Sequence, residues 1–78
     1  MQLAEATKKR ILGLLEENNM KLFTLAKSAG ISLPTITDFL NGDTKNLRMD
    51  TVLHICEGFG ITLKDFYDHE LFIDVVSE

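Results

Sequence analysis

Few residues in this chain have side chains suited to covalent, metal or proton chemistry. His54, Cys56 and His69 are the only nitrogen and sulfur ligands of that kind. His54 and Cys56 stand two apart on a stretch with helical periodicity, so one faces inward and the other outward. They do not converge on one ion, and no metal is expected. The hydroxyl, histidine and acid groups are scattered over surface positions, with no marked nucleophile and no paired acid and base. Gly58 and Gly60 read as the bracketed end of a helix rather than a phosphate-binding loop. No enzyme, no cofactor and no small-molecule substrate are therefore expected.

The remaining polar chemistry is of another kind. Seven lysines and arginines stand against five carboxylates in residues 1–48, whereas in residues 49–78 Lys64 stands alone against seven. The net charge of −4 thus hides a mildly basic half and an acidic half. Such a dipole would orient the molecule on a polyanion, and it equally keeps the surface soluble.

The stretch that must position these groups is residues 22–42. Leu22, Leu25, Ala26 and Ala29 recur at helical spacing and make one apolar face. Gly30 ends that helix, Ile31 plugs the corner, and Ser32 is a suitable N-cap for the next, with Pro34 tolerated in its first turn. Ile36, Phe39 and Leu40 give the next helix its inward stripe; Pro34, Thr37, Asp38 and Asn41 point away, with Leu33 at the edge. Two short helices at an angle, with a small residue at Ala26, are the physics of a helix-turn-helix.

Around this pair the spacing predicts a first helix over residues 3–18, with Ile11, Leu14 and Leu15 inward. A fourth runs from Met49 to Phe59, with Met49, Val52, Leu53, Cys56 and Phe59 inward. A short fifth starts at Thr62, where Thr62 and Asp65 form a capping box, and turns Leu63, Phe66 and Tyr67 to the core. The fold class is all-α with five helices. One domain over residues 1–70 is expected, followed by an apolar tail, residues 71–78. Leu71, Phe72, Ile73, Val75 and Val76 of the tail, with Phe23, form a candidate dimer or partner surface; alternatively the tail folds back over the first helix and covers Phe23. One cysteine excludes a disulfide scaffold, no apolar run approaches a membrane span, and the N-terminus is not a signal peptide. A cytoplasmic protein with no membrane partner is expected.

The order and spacing of RILGLLEENN, TLAKSAGIS, TITDFLNGDTKN and DTVLHICEGFGITLKDF resemble the phage lambda repressor and Cro class of helix-turn-helix domains, the XRE family. The resemblance runs over residues 8–67 without gaps and includes Ala26, Gly30, Ile36, Gly42, Thr51, Gly60 and Leu63. It implies a sequence-specific transcriptional regulator, in the first instance a repressor, that binds double-stranded DNA as a homodimer with helix 33–41 in the major groove. Leu33, Pro34, Thr37 and Asp38 then stand at base-reading positions. Lys21, Ser32, Thr35, Asn41, Lys45, Asn46 and Arg48 stand at backbone-contacting ones.

This chain departs from the pattern in places. Leu22 and Phe23 replace a common glutamine that grips the backbone. Arg10 faces Leu40 where a glutamate is usual, and Leu47 follows Asn46 where proline is common. The reading face has no Arg, Gln or Asn in its first turn. That face and the acidic balance leave a rival: the same fold as an interaction module that holds a regulatory protein instead of DNA.

Overall fold

The computed structural model describes residues 1–43 and 46–77. Five α-helices follow one another: α1 (Leu3–Glu17), α2 (Leu22–Ala29), α3 (Leu33–Leu40), α4 (Met49–Phe59) and α5 (Leu63–Tyr67). A single 3-10 turn, Glu70–Phe72, comes after them. No strand forms among the described residues beyond one isolated parallel bridge between Gln2 and Val76. The all-α class and the five helices expected from periodicity are observed.

The helices form where the apolar spacing puts them, and the breaks have local causes. Asn19 adopts a left-handed φ of 49°, and Met20 N–H reaches back to the Leu15 carbonyl to close α1. Helices α2 and α4 end alike, on Gly30 at φ 69° and Gly60 at φ 75°. Glycine takes this conformation without the steric cost a Cβ brings. In both, the following isoleucine donates back over five residues, Ile31 to the Ala26 carbonyl and Ile61 to the Cys56 carbonyl, each at 3.0 Å.

The core joins α1, α2, α3, α4 and α5. Ile11, Leu25, Ile36, Ile55, Cys56 and Phe66 are fully buried in it. Each such aliphatic or aromatic side chain contributes about 1.5–3 kcal/mol of apolar transfer. Helix α4 packs chiefly on α2, and Gly58 explains how closely. A Cβ at residue 58 would lie 3.1 Å from both Ala29 Cβ and Leu25 Cδ1. Gly58 therefore does not bracket the end of α4, as its position suggested. It sits inside the helix and lets the two backbones meet.

The inward stripe of α4 also needs correction. It runs Val52, Ile55, Cys56 and Phe59, at i, i+3, i+4 and i+7. Met49 is 60% exposed and Leu53 is 41% exposed, whereas Ile55 is fully buried. The apolar residues of this helix span more than one face, and only contact with α2 selects which arc is inside. Thr7 is buried too, and its hydroxyl donates to the Leu3 carbonyl at 2.9 Å.

With Leu40 in place of a glutamate on α3, Arg10 turns to backbone and to Glu17 of its own helix, whose Oε2 lies 3.9 Å from its Nη1. Its Nε donates to the Phe66 carbonyl at 2.7 Å and its Nη2 to the Asp65 carbonyl at 2.9 Å. The guanidinium carbon lies 5.9 Å from the centre of the Phe66 ring. Arg10 thus ties the end of α5 to α1. Phe66, Tyr67 and Phe72 then stack in mutual edge and tilted contacts, with centroids 4.9–6.0 Å apart. The chain ends beside its beginning: Leu3 N–H donates to the Val76 carbonyl at 2.9 Å and Val76 N–H to the Met1 carbonyl at 3.1 Å. The tail does not cover Phe23, which is 66% exposed.

Candidate nucleic-acid interface

Helix α3 is held by two buried anchors, Ile36 and Phe39, with Leu40 half-buried beside them. That anchoring turns Leu33, Pro34, Thr35 and Asp38 outward, with Asn41 exposed at the C-cap. Thr37 is half-buried, and its hydroxyl leans on its own helix, 3.3 Å from the Pro34 carbonyl. Its capacity to reach a base edge is reduced accordingly.

Ser32 occupies the N-cap position, as its type predicts, but its hydroxyl does not cap. It lies 2.7 Å from Thr35 Oγ1, and no side chain accepts from the first turn of α3. Pro34 has no N–H to satisfy. The two hydroxyls therefore stand together on the exposed start of the helix. Lys21 stands at the corresponding N-cap of α2, also exposed and also without a side-chain cap.

The segment leading into α4 lies alongside α3. Thr35 and Asp38 of α3 share one groove of about 250 Å³ with Asn46, Leu47, Arg48 and Thr51. The structure thus brings Thr35, Asp38, Asn46 and Arg48 together; Lys45, also predicted to contact the backbone, lies outside the described residues. Thr51 in this groove was not among the predicted contact residues. Asp50 was missed as well: its Oδ1 lies 3.2 Å from Arg48 Nε and accepts the Thr51 N–H at 2.9 Å. An acid in the first turn of α4 is the signal that could have found it, since helix N-termini favour negative charge. Exposed pairs of this sort contribute little, about 0–1 kcal/mol, so Arg48 is readily drawn off by a stronger anion.

Phe23 projects from the start of α2 with no polar group in place of the usual glutamine. The outward face of α3 is apolar and hydroxylic, with Asp38 its one charge. Leucine and proline can contact thymine methyls, and a carboxylate can accept from cytosine N4.

The other chemistry-bearing residues lie elsewhere. His54 is exposed and sits 3.3 Å from Glu57, while Cys56 is fully buried on the opposite side of α4. Burial pushes the Cys56 thiol above its ordinary range. Among the described residues no group of three or more His, Cys, Asp and Glu side chains could hold a metal. Nor is any helix among them long and apolar enough to cross a membrane.

Comparison with known proteins agrees with this geometry. A crystal structure of prophage Lp1 protein 11 superposes with a TM-score of 0.83 at 24% identity, covering 96% of this chain and 100% of that one. At that identity the likeness concerns the fold. Among curated proteins nothing matches the chain. The profile of the Cro/C1-type HTH DNA-binding domain matches residues 10–71, from the first helix through the 3-10 turn. The chain belongs to the Cro/C1-type helix-turn-helix DNA-binding domain family.

Proposed function

We propose that this protein is a sequence-specific transcriptional repressor that enters the major groove with α3. Leu33, Pro34, Thr37 and Asp38 read bases, with Thr37 the most constrained of the four. Lys21, Ser32, Thr35, Asn41, Lys45, Asn46 and Arg48 hold the phosphates and sugars. Two copies occupy a two-fold site with half-sites about one helical turn apart and occlude a promoter. The observation that carries this reading is the groove in which Thr35 and Asp38 meet Asn46 and Arg48, a hydroxyl and cation edge beside an anchored helix. With so few cations near α3, about 2–4 phosphates neutralised per copy are expected, and a correspondingly shallow salt dependence.

The test is a fluorescence-polarisation titration against a pool of random-core duplexes at low and moderate salt, followed by sequencing of the bound fraction. Enrichment of a two-fold sequence, with affinity falling as salt rises, supports the repressor. Flat polarisation at low salt removes it. The exposed Phe23 and the apolar start of α3 would then favour the second reading, a domain that holds a protein through that same face.

A further inference from the structure

The α5 end of the molecule carries an open cleft, remote in sequence from α3. Tyr67, Asp68, His69, Glu70, Phe72 and Ile73 line this cleft of about 370 Å³. Its lining is in part aromatic and aliphatic: Tyr67 and Phe72 meet edge to face at 4.9 Å, and Ile73 is 74% exposed. The rest of it is largely acidic. Asp68, Glu70 and the neighbouring Asp74 are exposed, and among the described residues none lies within ion-pair distance of a cation. From residue 65 to residue 77 there are four carboxylates and no lysine or arginine.

Apolar and acidic groups lining one cleft fit one kind of side chain. Lysine and arginine lay a hydrocarbon stem along apolar surface and keep the charged head at the rim, and aromatic faces attract that head. More apolar surface lies toward the termini. Leu3 is exposed and shares a pocket with the cleft residue Tyr67, and its N–H is bonded to exposed Val76, which in turn donates to exposed Met1. A small polycation would leave these apolar residues uncovered, whereas a protein segment would shield them from water. A second copy is a poor occupant, because a two-fold contact would set these carboxylates against their own images.

We propose that the cleft between α5 and the 3-10 turn receives a lysine or arginine side chain of a partner protein, whose flanking apolar residues cover Ile73 and Val76. The cleft shares no lining residue with the α3 groove, although Tyr67 also borders a pocket with Asn46 and Leu47 of that groove.

The probe is a capped synthetic peptide of alternating leucine and arginine, with a second peptide in which citrulline replaces arginine. Amide shifts of the full chain map the contact, and polarisation measures the affinity. Shifts confined to residues 67–76 and 1–3 are expected, with affinity lowered at least about tenfold in the Asp68→Asn/Glu70→Gln variant. The same change of charge at Asp50→Asn/Glu57→Gln should alter it less than about twofold. None of the four side chains lies in the core, so both variants are expected to fold. Equal losses in the two variants would reduce the contact to general charge attraction and overturn the proposal. Equal binding of the citrulline peptide, or concentration-dependent self-association abolished by Ile73→Lys in sedimentation, would overturn it too.

Discussion

Residues 30–35, Gly-Ile-Ser-Leu-Pro-Thr, and residues 60–65, Gly-Ile-Thr-Leu-Lys-Asp, make the same backbone turn and finish it differently. Both glycines are left-handed with ψ 30°, and both isoleucines close the preceding helix by the same hydrogen bond. After Gly60 the next helix is sealed. Thr62 Oγ1 accepts the Asp65 N–H at 3.0 Å, and Asp65 Oδ2 accepts the Thr62 N–H at 3.3 Å. Arg10 then closes the other end of that helix by donating to the Asp65 and Phe66 carbonyls. After Gly30 the next helix is left open, with Ser32 and Thr35 bonded to each other. One residue decides the difference. The third helical position holds a carboxylate in α5 and a hydroxyl in α3. A carboxylate there stabilises a helix and repels phosphate; a hydroxyl forgoes the first effect and avoids the second. The turn that serves packing is capped, and the turn proposed to face DNA is not.

The largest test of this contrast removes the closure of α5. Arg10→Ala deletes two charge-assisted hydrogen bonds, one partly buried to the Phe66 carbonyl and one exposed to the Asp65 carbonyl, and should cost about 2–3 kcal/mol, measured by urea denaturation. A loss below about 0.5 kcal/mol would mean that α5 is held by Phe66 alone. Converting one turn into the other is the sharper test. Thr35→Glu completes a capping box with Ser32 and should raise stability by about 0.5–1 kcal/mol. In the same protein, duplex affinity should fall at least about tenfold through phosphate repulsion. Affinity unchanged in a more stable protein would break the link between the open turn and DNA.

Removing each cap hydroxyl measures the asymmetry directly. Thr62→Ala should cost about 1 kcal/mol. Ser32→Ala should cost less than about 0.5 kcal/mol, because its hydroxyl caps no backbone donor. Equal losses by thermal or urea unfolding would show that the two turns are equivalent in solution. The smallest effect is alkaline. Burial raises both the Cys56 thiol and the Tyr67 phenol above their ordinary values of 9.0 and 10.0. The folded state therefore keeps those protons longer than the unfolded state. Stability should be constant well below those values and decline as pH rises through them, as the unfolded groups ionise first. Cys56→Ser would remove the lower part of that decline, read from unfolding midpoints across the range.

The recurring Gly-Ile-Ser/Thr pattern was legible in the residues themselves. Helix ends depend on backbone geometry that glycine alone adopts cheaply, and the Thr62–Asp65 capping box is a contact three residues apart. The inward stripes of α1, α2 and α3 were legible too, since their apolar residues at i, i+3 and i+4 mark one arc despite single apolar residues such as Phe23 and Leu33 outside it. In α4 two faces are apolar, so Met49, Leu53 and Ile55 could not be sorted without α2 in place. Gly58 read as punctuation because its reason, the approach of Ala29 and Leu25, lies in another helix. The candidate site divides in the same way: the outward set on α3 follows from periodicity, while Thr51 and Asp50 join Arg48 only through the folding of the chain before α4. So local spacing determined the five helices, the turn and the outward face of α3. The choice of buried arc on α4, the partner of Arg10 and the uncovered Phe23 were decided by tertiary structure. They are contacts between residues far apart in sequence, and no periodicity encodes which surfaces meet.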